Sequence, residues 1–595
     1  MKEFFKLLKS VREYKRAAIL TILSMVLEVA MEVLIPLTMS KLVDQIENNT
    51  SSVDGIWKYA ILLVAMALIS MFGGFMGGFL GAKASTGFAK NLRKDVFDNI
   101  QTFSFENIDK FSSSSLVTRL TTDVVNAQNS FQMSIRIIIR APLMFIFSII
   151  MAFILGGSMA LAFVVVIPLL LVGLLLVFKK VSPIFKKVFK KYDNLNESVQ
   201  ENVSGIRVVK SYVREDYERE KFNNASEDIT KDFIKAEKIM ALTSPIMNFA
   251  IYFIIIFVFG FGSYLILTTF IGFNDVEDPI YGALSTGQLS AILTYGMQIL
   301  HSFMIFAGVI VMFTMSLESM RRINEVLEEK STLSNPKNPV YEVKDGSFEF
   351  KNVSFKYFKD AKKYALENIN VKIKSGSIVG VIGSTGSGKT TFVNLISRLY
   401  DVTKGEILVG GVNVKDYDLV TLRDKVSVVL QKNVLFSGTI ASNLKWGNEN
   451  ATLDEIKKAC KIACADEFIE QFNDKYDTYI EQGGTNVSGG QKQRLCIARA
   501  LLKQPKIIIL DDSTSAVDTK TDSIIRDGFK SYIPDTTKII VAQRISSIEN
   551  ADVVIVLDNG KINAIGTNEE LLKNNKIYQE VYYSQNKNVV KEGDK

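Results

Sequence analysis

The stretch IVGVIGSTGSGKTT, residues 378–391, decides the fold of the C-terminal half of this 595-residue chain. It begins as an apolar strand and runs into the pattern GxxxxGK[ST], which the helical stretch FVNLISRLY follows. Such a glycine-rich turn lets backbone N–H groups wrap phosphates at a helix N-terminus. Lys389 is expected to reach the β and γ phosphates, and Thr390 to ligate Mg²⁺. The predicted nucleotide-binding residues of this loop are Gly383, Ser384, Thr385, Gly386, Ser387, Gly388, Lys389, Thr390 and Thr391.

A second apolar strand ends in the acid that a nucleoside triphosphate site requires. The run IIIL at residues 507–510 leads into Asp511, whose carboxylate is expected to hold the magnesium shell. Strands such as FEFKNVSFKY and SIVGVIG alternate with helical runs, which predicts an α/β domain over residues 341–585. A proline-containing linker at residues 330–340 precedes this domain, and a polar tail at residues 586–595 follows it.

Composition indicates that a membrane part precedes this soluble domain. The mean hydropathy of +0.17 is high for a chain with 22% charged residues. The net charge of +7 gathers in short stretches beside apolar segments, as in KKVSPIFKKVFKK at residues 179–191. That arrangement is typical of cytosolic membrane flanks and argues against a nucleic-acid-binding face. The three cysteines give no disulfide framework, and we expect Cys460 and Cys464 to be buried packing residues.

Six apolar stretches in residues 1–329 are long enough to cross a bilayer, which needs about 20 residues per helix. An amphipathic helix on the inner leaflet is expected before the first of them, rather than a cleaved signal peptide. The long connections near residues 83–119 and 179–238 are basic and helix-compatible, which predicts cytosolic extensions and cytosolic termini. The predicted spans cover residues 17–43, 57–82, 134–155, 159–178, 247–270 and 287–315.

The sequence VSGGQKQR at residues 487–494 makes the assignment more specific. VSGGQ resembles the signature of ABC-type ATPases, and with six spans upstream the chain resembles a half-transporter of the ABC exporter superfamily with the type IV exporter fold. The implied fold is a polytopic helical membrane domain, extended into the cytosol, fused to an α/β P-loop ATPase domain. Residues 111–124 and 201–216 resemble the exporters' first and second intracellular loops.

The resemblance implies roles for further residues. Tyr357 resembles the aromatic that stacks on adenine, and Gln431 resembles the residue that contacts Mg²⁺ and the attacking water. Asp518 resembles the D-loop residue that couples the two sites of a dimer. The signature is expected to present a helix N-terminus to the γ phosphate bound by the opposite subunit, through Ser488, Gly489, Gly490 and Gln491.

Two positions depart from the family pattern. Asp512 stands where the family has a catalytic glutamate, and Gln543 stands where it has a histidine. Either change alone is compatible with drift. Together they resemble the degenerate-site subunit of bacterial heterodimeric multidrug exporters, whose partner carries the glutamate and histidine. This chain would then bind ATP and Mg²⁺ yet hydrolyse slowly at its own site.

The sequence leaves the cargo open. Glu28 and Glu32 lie one turn apart in the first span, where a lipid-facing carboxylate would cost about 2.5 kcal/mol or more. They are expected either to attract cationic drugs or to pair with Arg136 or Arg140, although Glu28 is predicted to lie about 10 Å deeper than Arg140 from the helical rise per residue. His301 in the last span is a candidate pH-responsive group or a bundle hydrogen-bond partner.

The favoured function is ATP-driven export of hydrophobic or amphipathic compounds by alternating access at the cell membrane. A lipid or peptide exporter and a weakly hydrolysing regulatory subunit are the alternatives. Soluble ABC proteins of DNA repair or translation are excluded by the six spans.

Overall fold

The computed structural model of the chain describes residues 2–47, 53–268, 270–273, 279–281, 284–358, 360–512 and 519–585. These residues form two compact units. The first comprises Met1–Ile100 and Ser114–Glu328, and the second comprises Gln101–Ser113 and Glu329–Lys595. A short segment that sequence analysis assigned to the membrane part therefore belongs to the unit that carries the P-loop.

The first unit is built from long helices. Within the described residues, five continuous helical stretches are long and apolar enough to cross a membrane, and one of them, Ser113–Ser204, contains two long helices. The predicted spans 17–43, 57–82, 134–155 and 287–315 each lie within one helix. The α-helices of residues 2–328 are α1 (Lys2–Leu7), α2 (Lys15–Glu47), α3 (Val53–Gln101), α4 (Phe105–Phe111), α5 (Ser113–Thr118), α6 (Val124–Gly156), α7 (Leu161–Ser204), α8 (Ile206–Ser211), α9 (Glu215–Met240), α10 (Thr243–Thr268) and α11 (Thr286–Glu328).

A glycine turn joins α6 to α7. Gly157 has a φ of +48°, which a glycine adopts without the steric penalty of a side chain. A single turn of 3₁₀ helix then leads into α7. Helices α2, α6, α10 and α11 share an apolar core around Val29, Met144, Ile254 and Tyr295. After α10, the short strands β1 (Phe270–Phe273) and β2 (Pro279–Tyr281) pair antiparallel.

The second unit is an α/β domain with two principal sheets. Its strands are β3 (Phe348–Phe355), β4 (Leu366–Ile373), β5 (Ile378–Gly383), β6 (Lys404–Val409), β7 (Val412–Asn413), β8 (Val426–Val429), β9 (Gly438–Thr439), β10 (Tyr479–Ile480), β11 (Ile507–Asp511), β12 (Thr537–Val541), β13 (Val553–Asp558) and β14 (Lys561–Gly566). Its later helices are α12 (Lys389–Ile396), α13 (Leu419–Lys425), α14 (Ile440–Leu444), α15 (Leu453–Ile462), α16 (Asp466–Ile469), α17 (Gly489–Leu502), α18 (Thr519–Tyr532), α19 (Asn568–Asn574) and α20 (Lys576–Gln585).

The order of the six-stranded sheet explains how distant motifs meet. Its strands run β14-β13-β5-β12-β11-β8, and all neighbouring pairs except β13 with β14 are parallel. Parallel strands that are buried on both faces are continuous apolar runs, as in Ile507–Leu510. Ligands of such sheets bind beyond the carboxyl ends of the strands. The loops after β5, β8, β11 and β12 therefore define one edge, while β4-β3-β6-β7 forms an antiparallel sheet.

The predicted fold class is confirmed: a helical membrane unit is fused to an α/β unit. Cys460 and Cys464 are buried, as expected from their helical spacing. Burial raises the pKa of the Cys460 thiol to about 12, so this group packs as a neutral apolar side chain.

Candidate nucleotide site

The phosphate loop lies between β5 and α12 and depends on its glycines. At Gly383, a Cβ would come within 2.1 Å of the Leu557 carbonyl oxygen. Gly388 precedes the first residue of α12 with a φ of +96°, and a Cβ there would lie 2.9 Å from the Ala365 carbonyl oxygen. Larger residues at either position would clash with backbone, so the glycines fix the close turn that leads into the helix N-terminus.

The lysine of the loop is held by the loop itself. Lys389 Nζ donates hydrogen bonds of 2.9 Å to the carbonyl oxygens of Gly383 and Ser384. Burial lowers the pKa of this ammonium, while Asp511 and Asp512 favour its charged form. The hydroxyl of Ser387 is buried and has no hydrogen-bond partner among the described residues. The loop therefore offers a partly desolvated cation and an unsatisfied polar group to a phosphate.

An oxygen-rich pair stands beside the loop. Thr390 Oγ1 lies 3.3 Å from Asp511 Oδ1, at the carboxyl end of β11. Asp511 is buried, and its Oδ2 has no hydrogen-bond partner among the described residues. Burial raises the pKa of this carboxyl, and the nearby carboxylate of Asp512 adds to the effect. A buried carboxylate oxygen without a donor, next to a hydroxyl, suits a hard divalent cation.

Gln543 and Asp512, the two positions predicted to depart from the resembled pattern, contact each other. Gln543 Nε2 donates a 2.8 Å hydrogen bond to Asp512 Oδ2, and the Gln431 side chain also bonds this carboxylate. The three residues follow β12, β11 and β8, which are neighbours in the sheet. Burial raises the pKa of Asp512, whereas the two amide hydrogen bonds oppose the rise. The structure thus places Gln431 at Asp512, and the predicted catalytic residues form one cluster.

Asp512 also has an uncommon backbone conformation. Its φ is +49°, in the left-handed region, and its N–H bonds the Val541 carbonyl oxygen at 3.1 Å. Aspartate and asparagine tolerate this region better than most residues that carry a Cβ. The turn that aims the carboxylate is therefore compatible with aspartate at this position.

The predicted adenine-stacking residue belongs to an aromatic group that sequence analysis missed. Tyr357 Oη lies 2.8 Å from Thr391 Oγ1, and its ring packs edge-on against Tyr400 with centroids 5.3 Å apart. Tyr400 Oη donates a 2.6 Å hydrogen bond to Asp109 Oδ2 of α4. Burial raises the pKa of both tyrosines, and Asp109 raises that of Tyr400 further. The position of Tyr400 directly after the phosphate-loop helix was the available sequence signal.

The signature forms the exposed N-terminus of helix α17, whose later residues are mostly buried. Ser488 is the N-cap of α17 and forms a capping box with Gln491, in which each side chain bonds the other residue's backbone N–H. Ser488 and Gly489 are exposed and Gly490 is half-buried. An exposed helix N-terminus is suited to a phosphate from outside the chain. Asp518 lies outside the described residues.

The charged pair of the first span is satisfied within the membrane unit. Arg140 Nη2 lies 2.7 Å from Glu32 Oε1, and Arg140 Nε lies 3.4 Å from Glu28 Oε1. Pairing with Arg140, one of the two expectations for these acids, is therefore observed, although a predicted offset of about 10 Å in depth had argued against it. A rise per residue compares heights along parallel axes and omits helix tilt and the reach of a guanidinium. Both carboxylates and His301 line a cavity of about 1170 Å³.

A helical membrane unit joined to a P-loop α/β unit defines a membrane transporter driven by ATP hydrolysis. Residues 18–277 match the family model of the ABC transporter transmembrane region, and residues 366–515 match that of the ABC transporter. The chain belongs to the ABC transporter family.

Relatives and a solved structure extend this likeness over nearly the whole chain. The uncharacterized ABC transporter ATP-binding protein YfiB of Bacillus subtilis is 33% identical over 98% of both chains. The putative ABC transporter ATP-binding protein MG014 of Mycoplasma genitalium is 33% identical over 88% of this chain and 85% of its own length. A bacterial Atm1-family ABC exporter with ATP bound has the same fold, with a TM-score of 0.80, 22% identity, and coverage of 96% of this chain and 98% of that chain.

Proposed function

We propose that this chain is the weak-site half of a heterodimeric ABC exporter that moves hydrophobic or amphipathic compounds across the cell membrane by alternating access, with both termini in the cytosol. Its own phosphate loop would hold ATP and Mg²⁺. Its exposed signature would complete the stronger site of a second half-transporter that carries a glutamate and a histidine. The observation that carries the proposal is the hydrogen bond between Gln543 and Asp512.

Side-chain geometry supports slow hydrolysis at the chain's own site. The aspartate side chain is one methylene shorter than glutamate, which withdraws the carboxylate by about 1.5 Å, one C–C bond. A misplacement of about 1 Å can cost about 10²-fold in rate. Asp512 already accepts hydrogen bonds from two amides, and these occupy acceptor positions that the attacking water would otherwise use. Gln543 directs one amide N–H to Asp512, and it lacks the imidazole that the histidine of the resembled family would offer to a γ phosphate.

The remaining residues would bind the nucleotide. Thr390 and the unsatisfied Oδ2 of Asp511 would hold Mg²⁺, which supplies charge neutralisation at the phosphates when it is bound. Lys389 would exchange its carbonyl partners for phosphate oxygens. The ring of Tyr357, fixed by Thr391 and Tyr400, would stack on adenine.

The test compares ATP binding with ATP turnover in the purified full-length chain. We expect nucleotide binding that requires Lys389, with little hydrolysis. Asp512→Glu combined with Gln543→His is expected to raise turnover by about 10²-fold, the cost estimated for a misplaced group. The exposed pair Asp535→Glu and Gln471→His is the matched control and should change nothing.

Robust substrate-stimulated hydrolysis by the unmodified chain alone would contradict the proposal. Co-purification from native membranes supplies the second arm. A different half-transporter with an intact glutamate and histidine is expected in the complex, whereas recovery of this chain as the sole ABC subunit would argue for a homodimer.

A further inference from the structure

The cavity of the membrane unit combines an apolar lining with four charged side chains. The cavity has a volume of about 1170 Å³ and is lined by α2, α6, α10 and α11, together with Met240 at the end of α9. Methionines supply much of the apolar surface, including Met25, Met144, Met247 and Met297. Such side chains adapt to ligands of different shape. The charged residues, Glu28, Glu32, Arg136 and Arg140, would therefore decide which headgroup the cavity accepts.

Arg140 forms ion pairs with both Glu28 and Glu32. Arg140 contacts both Glu32 oxygens through Nη2, at 2.7 and 2.9 Å, and approaches Glu28 through Nε at 3.4 Å. A cationic ligand would have to compete with this guanidinium for the same carboxylates. The two acids therefore offer a cation less than their formal charge suggests.

The second arginine lacks such a partner. Arg136 lies one turn before Arg140 on α6 and lines the same cavity. Glu28 attracts it electrostatically, but no carboxylate of the described residues forms a salt bridge with it within 4.0 Å. Its Nε is buried and has no hydrogen-bond partner in the described part of the chain.

Glycines of α3 make room for the Arg136 side chain. A Cβ at Gly81 would lie 3.1 Å from Arg136 Cδ, and a Cβ at Gly78 would lie 4.0 Å from Arg136 Nη2. The guanidinium thus lies against a helix face that carries no side chain at these positions. It is packed in place while its hydrogen-bonding capacity is partly unused.

We propose that Arg136 binds the acidic headgroup of an amphipathic ligand, a carboxylate or phosphate, while the methionine-rich wall takes its apolar body. The two glutamates and two arginines cancel in formal charge. An acidic ligand would therefore supply the anionic partner that Arg136 lacks among the described residues. A guanidinium forms paired hydrogen bonds with carboxylate or phosphate, and these gain strength in a poorly hydrated cavity. The inference rests on the proposed export of amphipathic compounds and names their class.

The test uses the full-length chain in nanodiscs of phosphatidylcholine without ATP. Three photoactivatable probes share one apolar tail and carry a carboxylate, a trimethylammonium or a neutral hydroxyl headgroup. We expect the carboxylate probe to label peptides of α2, α6 and α11 at about tenfold lower concentration than the trimethylammonium probe, in line with the loss or gain of one charge-assisted contact. Equal or better labelling by the cationic probe would overturn the proposal without any mutation.

Variants then assign the effect to one residue. Arg136→Gln is expected to reduce carboxylate labelling about tenfold and to leave neutral-probe labelling unchanged. Arg136→Lys should recover part of it, because it keeps the charge and loses the paired geometry. Arg207→Gln, at an exposed position on α8, is the matched control. Undiminished carboxylate labelling of Arg136→Gln would refute the role of Arg136.

Competitors identify the source of the acid. If phosphatidylglycerol added to the nanodisc suppresses labelling, the headgroup comes from a membrane lipid; if free dodecanoate does so and phosphatidylglycerol does not, it comes from a soluble amphiphile. Either result supports the acidic class, and suppression by neither contradicts it. Labelling requires no turnover and no second subunit, so its outcome is independent of the ATPase tests of the proposed function.

Discussion

The side-chain amide of Gln543 donates a 2.8 Å hydrogen bond to the carboxylate of Asp512. The two positions at which the sequence was predicted to depart from the family pattern therefore form one contact. Strands β11 and β12 lie side by side, with Asp511 paired to Val541, which brings the residues after them together. A change at one position consequently alters the surroundings of the other.

The effects of restoring the two residues should not add. Asp512→Glu alone leaves an amide beside the longer carboxylate, and Gln543→His alone leaves a carboxylate that is too short. Contacting residues typically couple by about 0.5–3 kcal/mol, or a factor of about 2–150 in rate. We expect the double variant to exceed the product of the single effects, as measured by turnover at saturating Mg²⁺-ATP. A double-variant effect equal to the product of the two single effects would show that the contact has no catalytic consequence.

The local motifs of the ATPase domain and its fold class followed from the sequence, because a phosphate loop and buried parallel strands each have a short sequence pattern. The contact between Asp512 and Gln543 did not follow, since it depends on the order of strands in the sheet. The hydrogen bond from Tyr400 to Asp109 joins residues far apart in the chain, for which periodicity gives no signal. Arg140 was considered as a partner for the glutamates, but heights along separate helices could not establish the contact.

Tyr357 is expected to contribute its ring rather than its hydroxyl to nucleotide binding. Tyr357→Phe keeps the π face and the contact with Tyr400, so ATP affinity should change little. Tyr357→Ala removes the stacking surface, which contributes about 1–3 kcal/mol per base and corresponds to about 5- to 150-fold in affinity. Titration calorimetry with ATP would measure both values. Tyr341→Ala, at a 70% exposed tyrosine, is the control, and a large loss with phenylalanine would instead indicate that the hydroxyl bond to Thr391 matters.

The buried carboxylate of Asp511 is expected to lower the free energy of unfolding when no cation is bound. Its folded-state pKa is raised above 3.8 by burial, so the folded state binds the proton more tightly than the unfolded chain. The penalty for ionisation is therefore absent well below 3.8, grows as the pH rises from 3.8 to the raised value, and is complete above it. Asp511→Asn should raise the melting temperature of the nucleotide-free protein near neutral pH by about 2–4 °C per kcal/mol removed.

The increase in melting temperature caused by Asp511→Asn should become smaller as the pH falls toward the ordinary aspartate pKa. The variant should also lose Mg²⁺-dependent ATP binding. Thermal unfolding in detergent across the pH range, with chelator present, provides the measurement. Asp527→Asn, an exposed substitution on α18, should show no comparable gain. A destabilised Asp511→Asn protein at neutral pH would show that the bond to Thr390 outweighs the burial penalty.

Arg140 is expected to stabilise the membrane unit by neutralising two acids. Arg140→Gln leaves Glu28 and Glu32 without this cation, and breaking a buried ion pair typically costs about 3–5 kcal/mol. The cost here should be smaller, because the side chains of Arg140 and Glu32 remain 33% and 26% exposed. Adding Glu28→Gln and Glu32→Gln to the variant should restore much of the melting temperature. Failure of the triple variant to recover would indicate that packing of the guanidinium, rather than charge, is what Arg140 supplies.

Ser488 is expected to affect ATP hydrolysis at the site formed by the partner's phosphate loop, and not at the site of this chain's own loop. The residue is exposed and caps α17, so Ser488→Arg places a long cation at the surface that would face the phosphates held by a partner. Loss of an N-cap costs about 0.5–2 kcal/mol, which the α/β unit should survive. In the heterodimer we expect turnover to fall by more than tenfold, as mutations that displace reacting groups by about 1 Å do. ATP binding to the chain alone, which depends on Lys389, should be retained. Loss of that binding would mean that the signature contributes to the nucleotide site of its own chain. It would contradict the proposal that the signature completes the stronger site of a partner.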